Sequence, residues 1–265
     1  MGEHLPGPAK TEGSLKDSAM ITVRKSETLG TTESDGIIIK CHFSFSDYHD
    51  ANYIHDGQLR VVNQIDLAPG QSYHLRHEEN VDILTWVQSG KIFSETDFFP
   101  DETLGEADLH VLSTGEGCNN MTWTAGTTGA SLIQIWMIPD CENAIREQTV
   151  RLSEISDRDG SFHILASGFP EDDPEDDVSI DDNSPATLRL QARLMISELP
   201  AGEAAEYITS SEREMYLLVI SGSVAIANTT VMGGEAAAIH KMERLLVTAH
   251  EKTLMLLADI PSGAS

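Results

Sequence analysis

Two stretches of this chain repeat one another. "ILTWVQSGKIFSE" (83–95) and "MYLLVISGSVAIA" (215–227) each run an apolar segment into a Ser-Gly pair and out into a second apolar segment. Downstream, "LIQIWMIPD" (132–140) is echoed by "LMLLADIPS" (254–262). Ser89 to Ile138 spans 49 residues and Ser221 to Ile260 spans 39, and the acidic loop "ETDFFPDETLGEAD" (95–108) accounts for the ten extra residues of the first copy. Tandem copies of one β-unit restrict the chain to two similar modules packed in series.

The strand signals agree. "GIIIKCHFSF" (36–45), "QLRVVNQIDL" (58–67), "VDILTWVQSGKIFS" (81–94), "ADLHVLS" (107–113) and "ASLIQIWMIPD" (130–140) are short, rich in β-branched or aromatic residues, and bounded by Gly, Pro or Asp. Long helical periodicity is missing from this half, which points to an all-β antiparallel sandwich or barrel. A length of 265 residues accommodates one large core or two small ones.

Charge narrows the partners. There are 43 acidic and 17 basic residues, a formal net charge of −26, and a surface this negative repels phosphate backbones and anionic lipid. Neither direct nucleic-acid binding nor membrane binding is expected. Cys41, Cys118 and Cys141 form an odd, sparse set without C-x-x-C spacing, which fits a reducing cytoplasm. Residues 1–19 contain no apolar signal-peptide core, and no apolar run is long enough for a membrane helix. In "EDDPEDDVSIDD" (171–182) eight of twelve residues are acidic; like charges at that density read as a solvated, mobile loop, and the EF-hand pattern is absent.

"MITVRKSETLG" (20–30), the segment 41–73, "VDILTWVQSGKI" (81–92), "VLSTGEG" (111–117) and "IQIWMIP" (133–139), taken as an ordered set, resemble the pirin family of two-cupin proteins. "EREMYLLVISGSVAIANTTVMGGEAAAIH" (212–240) is similar to the second cupin of those proteins. The resemblance implies two tandem cupin (jelly-roll) β-barrels, with 1–19 as a polar extension, 20–140 as the first barrel, 141–190 as a connection holding the acidic loop, and 191–265 as the second barrel. It also implies an iron-type site in the first barrel, made by a His-x-His pair, a later His, and a Glu two residues after it. In some members that site supports oxidative cleavage of flavonols such as quercetin; others are described as regulators. Members are often monomeric.

Carried over residue by residue, the His-x-His pair falls on Arg76 and Glu78, and the later His and Glu fall on Asn120 and Thr122. A guanidinium has donors only and stays protonated, so Arg76 repels the ion that a histidine would hold. Residues two apart share a strand face, so the expectation is a metal-free polar pocket of Arg76, Glu78, Asn120 and Thr122, with Trp123 at its edge and no cofactor. The rival reading relocates the site to His77, Glu79 and His110, with His74 nearby, and binds iron or another divalent transition metal. Further expectations are an inert buried thiol at Cys118, a tight turn at "STGEGCN" (113–119), isolated roles for His240 and His250, and a structural second barrel. Three functions follow: a binder of a small organic molecule or protein partner, a quercetin 2,3-dioxygenase-like enzyme, or a regulator acting through its acidic loop.

Overall fold

The computed structural model of the protein describes residues 19–152, 160–172 and 184–262. The acidic segment beyond Asp172 and the extension before residue 19 lie outside the described residues.

Three sheets build two barrels. In the first, the sheet order is Glu147–Arg151, Leu109–Ser113, Asp82–Thr96, Met121–Met137, Leu59–Leu67, Ile37–Cys41 and Gly30–Ser34, with Ser72–Leu75 added to Met121–Met137 and Glu102–Leu104 added to Asp82–Thr96. In the second, one sheet holds Ala236–His240, Arg213–Ser221, Thr253–Pro261, Arg193–Leu199, His163–Ser167 and Ala186–Thr187 in that order. A four-stranded sheet of Ala204–Ile208, Arg244–Ala249, Ser223–Ile226 and Thr229–Met232 closes the second barrel. The fold is all-β with two cupin barrels, as the tandem repeat implies.

The repeated Ser-Gly pairs are the corners of the two barrels. Asp82–Thr96 pairs with Met121–Met137 along both of its halves, and the register shifts on either side of Gly90. In the second copy the strand stops at Ser221 and restarts at Ser223 in the other sheet. Gly90 and Gly222 have φ of +81° and +82°, where a side chain is strained. A Cβ on Gly90 would sit 2.3 Å from the Gly129 carbonyl oxygen, and one on Gly222 would sit 2.4 Å from Thr253 Oγ1.

Alternation along each strand sorts the apolar residues into three clusters. Inside the first barrel lie Cys41, Val61, Ile65, Ile83, Val87, Leu112, Met121, Trp123 and Trp136, among others. Inside the second lie Met195, Met215, Leu217, Val224, Ile239, Val247 and Leu257. The opposite faces, with Phe43, Leu84, Trp86, Val111, Ile133, Leu188, Leu194, Tyr216, Leu218 and Leu256, form one core between the barrels.

Two boundaries differ from those drawn on the sequence. Met20–Arg24, expected in the first barrel, pairs antiparallel with Ala236–His240 at the edge of the second. The connection also divides between the barrels: Glu147–Arg151 pairs with Leu109–Ser113, whereas His163–Ser167 pairs with Arg193–Leu199. Edge strands exchanged in this way leave fewer unpaired backbone groups on each sheet.

Candidate functional site

At the expected metal position, the strands turn a different set of side chains inward. Ser72–Leu75 pairs with the start of Met121–Met137, setting Tyr73 opposite Trp123 and His74 opposite Thr122. Tyr73, Met121 and Trp123 are buried in the barrel, whereas His74 is exposed with Nδ1 2.9 Å from Thr122 Oγ1. The strand ends at Leu75, so residues 76 and 78 do not share an inward strand face. Arg76 is exposed, and the Arg76–Glu78 pair is not formed among the described residues. Asn120 is exposed and donates through Nδ2 to Asp97 Oδ1 at 2.7 Å. Of the expected pocket, Trp123 lies inside, stacked on Tyr73 with ring centroids 5.9 Å apart.

Glu78 reaches the barrel mouth. Its backbone exchanges hydrogen bonds with Cys118 at 3.0 and 2.9 Å, and burial raises its carboxyl above the usual range. With Ile39, Cys41, Phe45, Tyr73 and Leu75 it lines a cavity of about 290 Å³. Burial likewise lifts the Cys118 thiol, and pushes that of Cys41 up to about 11, so both favour the unreactive protonated form.

The relocated histidines do not converge. His77 is exposed, with Nδ1 2.9 Å from Asn119 Oδ1 and Nε2 3.5 Å from Glu79 Oε2. His110 is fully buried, with Nδ1 3.5 Å from Ser94 Oγ, and burial pushes its imidazole down to about 4. Among the described residues, the one group of three His, Cys, Asp or Glu side chains with converging donor atoms lies elsewhere, at Asp56, Glu214 and His240.

Deeper in the first barrel the register lays a polar row across five strands. Cys41 is opposite Asn63, Asn63 opposite Gln134, Gln134 opposite Thr85, and Thr85 opposite His110. Asn63, Thr85, His110 and Gln134 are all 0 % exposed. Trp136 Nε1 donates to Gln134 Oε1 at 3.0 Å and Gln134 Nε2 donates to Thr85 Oγ1 at 3.4 Å. Both amide atoms of Asn63, His110 Nε2, Tyr73 Oη and Trp123 Nε1 are buried with no hydrogen-bond partner among the described residues. Each such atom costs about 1–3 kcal/mol unless something pairs with it.

Sequence reasoning singled out His110 as a candidate metal ligand and passed over the rest of this row, although each strand advertised it. "VVNQI", "LIQIW", "DILTW" and "DLHVL" each set a polar residue within an apolar run, and a buried polar residue is more informative than the apolar ones around it.

The seam between the barrels holds a second polar assembly. Gln64 Nε2 donates to the Gly234 carbonyl at 3.0 Å and lies 2.8 Å from His42 Nε2. With Nε2 accepting, His42 carries its proton on Nδ1 and donates to Tyr216 Oη at 2.9 Å. Arg24, 4 % exposed, donates to the His42 carbonyl and to Tyr48 Oη, and its guanidinium lies 3.7 Å from the centre of the Tyr53 ring. Nearby, His240 bridges Glu214 and Asp56. His240 is thus clustered rather than isolated, whereas His250 is exposed.

Residues 178–260 match the pirin-type family described as the quercetinase C-terminal cupin domain. A pirin-like protein of Caulobacter vibrioides is 27% identical over 91% of this chain and 99% of its own length. A quercetin 2,3-dioxygenase of Escherichia coli K12 is 23% identical over 91% and 99%. The fold is that of the E. coli protein YhhW, at a TM-score of 0.82 and 21% identity, covering 93% of this chain and all of that one. YhhW in complex with nickel(II), there described as a bacterial pirin, superposes with a TM-score of 0.81, at 21% identity over 92% of this chain and all of that one. With the repeated barrels, the matched second cupin and relatives that run nearly end to end, the chain is similar to pirin-family proteins over almost its whole length.

Proposed function

We propose that the first barrel binds a small, planar, hydroxylated aromatic molecule, and does so without a metal ion at the position where the pirin resemblance implies one. The observation that supports this reading is the buried row of Asn63, Gln134, Thr85 and His110, with unpartnered Asn63 amide and His110 imidazole atoms, which ends at Cys41 in the lining of the 290 Å³ cavity. The Phe45 and Tyr73 rings that line the cavity suit a flat ligand, and amide groups suit its hydroxyls. A quercetin 2,3-dioxygenase among the relatives supports a flavonol as the first molecule to test.

The donor set argues against iron there. Ferrous oxygenase sites need several imidazoles and a carboxylate on one open face. The implied positions hold Arg76, Glu78, Asn120 and Thr122, with no imidazole among them, and the buried row adds a single imidazole with two amides, a hydroxyl and a thiol. These residues do not fit the group.

Quercetin titration followed by tryptophan fluorescence tests the binding, and oxygen uptake with added Fe²⁺ or Ni²⁺ tests the chemistry. Saturable quenching, weakened at least tenfold in Asn63→Leu, with no flavonol-dependent oxygen uptake, is the expected result. Metal-dependent oxygen consumption overturns the metal-free reading. Absence of saturable quenching overturns the ligand class.

A further inference from the structure

We propose that Asp56, Glu214 and His240 form a binding site for a borderline divalent transition-metal ion at the seam between the barrels. One donor atom from each side chain lies within 4.8 Å of the other two. Glu214 Oε1 is 3.2 Å from His240 Nδ1, and Asp56 Oδ2 is 3.8 Å from His240 Nε2. Two ligands each about 2.1 Å from one tetrahedral ion lie about 3.4 Å apart, close to the Glu214–His240 spacing, and an ion would take one of the two imidazole nitrogens.

The three positions are fixed by backbone rather than by chance surface proximity. Glu214 and His240 are directly opposite partners on antiparallel strands of the second barrel. Asp56 comes from the first barrel, where its backbone exchanges hydrogen bonds with Leu59 at 3.0 and 2.8 Å. The side chains are 14–20 % exposed, a depth that shields an ion while leaving it reachable. One imidazole and two carboxylates are a mixed nitrogen and oxygen set, suited to Zn²⁺, Co²⁺ or Ni²⁺ rather than to Mg²⁺.

A neighbouring cavity supplies the open side. It measures about 200 Å³ and is lined by Asp56 and His240 together with Phe43, Tyr53 and Tyr216. Water or ligand oxygen entering from that side completes a coordination shell that three protein groups leave unfilled. Arg24 shares the cavity, but its charge is already engaged by Asp50 at 3.6 Å. Across the whole chain, a net charge of −26 draws cations toward such a cleft. This site is separate from the polar row of the first barrel and stands or falls independently of it.

The test uses the full chain after chelator treatment, with Zn²⁺ followed by calorimetry and Co²⁺ followed by visible absorption. One saturable ion per chain is expected, with a metal-dependent rise in Tm. Asp56→Asn and Glu214→Gln each weaken binding at least tenfold and abolish that rise, whereas Asn63→Leu in the first barrel leaves both unchanged. Both substitutions preserve side-chain shape, and if one prevents folding the other carries the test. No saturable binding, or binding that survives both substitutions, overturns the proposal and leaves the trio as an ion-pair clip between the barrels.

Discussion

His42 Nδ1 lies 2.9 Å from the Tyr216 hydroxyl, joining a side chain of the first barrel to one of the second through a hydrogen bond closed to solvent. Burial, helped by the charge of Arg24, pushes the His42 imidazole down to about 3. The folded protein therefore holds it neutral, while the unfolded chain takes up a proton near pH 6.5. Its contribution is complete above pH 6.5 and is lost as the pH falls toward 3, with a limiting slope of about 1.4 kcal/mol per pH unit. Asp56 acts in the opposite sense: burial raises its carboxyl to about 6, so the folded state gains from its protonation as the pH drops below that value. The difference between wild type and His42→Asn isolates the first effect. Urea unfolding at pH 7.5 and pH 5 is expected to show a smaller acid loss in the variant; equal losses would remove His42 from the account.

Asn63 offers a sharper contrast between stability and function. Both of its amide atoms are buried and unpartnered among the described residues. Replacing it with Leu, of the same branched shape, removes the desolvation cost and is expected to raise the stability of the ligand-free protein by about 1–3 kcal/mol. The same change is expected to weaken quercetin binding, so thermal melts and fluorescence titrations should move in opposite directions.

The two barrel corners should respond alike to the same substitution. Gly90→Ala and Gly222→Ala each place a Cβ within 2.3–2.4 Å of a neighbouring atom, at a positive φ. A loss of about 2–4 kcal/mol is expected for each, from left-handed strain plus displacement of the facing strand. Equilibrium unfolding measures it, and a loss below 1 kcal/mol would mean that the corner can relax.

Leu218 tests whether the barrels unfold together. It is 2 % exposed and belongs to the core between the barrels. Leu218→Ala should cost about 2–5 kcal/mol. Trp86, Trp123 and Trp136 all lie in the first barrel, so their fluorescence reports that barrel, whereas far-ultraviolet circular dichroism reports both. Coincident midpoints that shift together in this second-barrel variant are expected; a fluorescence midpoint unmoved by the substitution would show separate units.

The two-barrel architecture was legible because its signals are local: apolar runs, turn residues, and a Ser-Gly pair met twice. The site was less so. Counting along the family pattern brought attention to Arg76, Glu78, Asn120 and Thr122, but the facing of a strand follows its alternation. Apolar residues at 73 and 75, and at 121, 123 and 125, already marked the inward positions, with His74, Thr122 and Thr124 between them. Asp56, Glu214 and His240 were hidden for another reason. They meet through the register of two strands and the approach of a loop from the other barrel, and no spacing along the chain encodes that meeting.

Met20–Arg24 is synthesised before every other strand described here, yet the sheet position it fills is bordered by Ala236–His240. Almost the whole chain must emerge before that strand has anything to pair with, so vectorial folding from the ribosome can complete the interior of the first barrel but not the edge of the second. Until then the segment has no strand to pair with, and its docking joins two strands more than 200 residues apart in sequence.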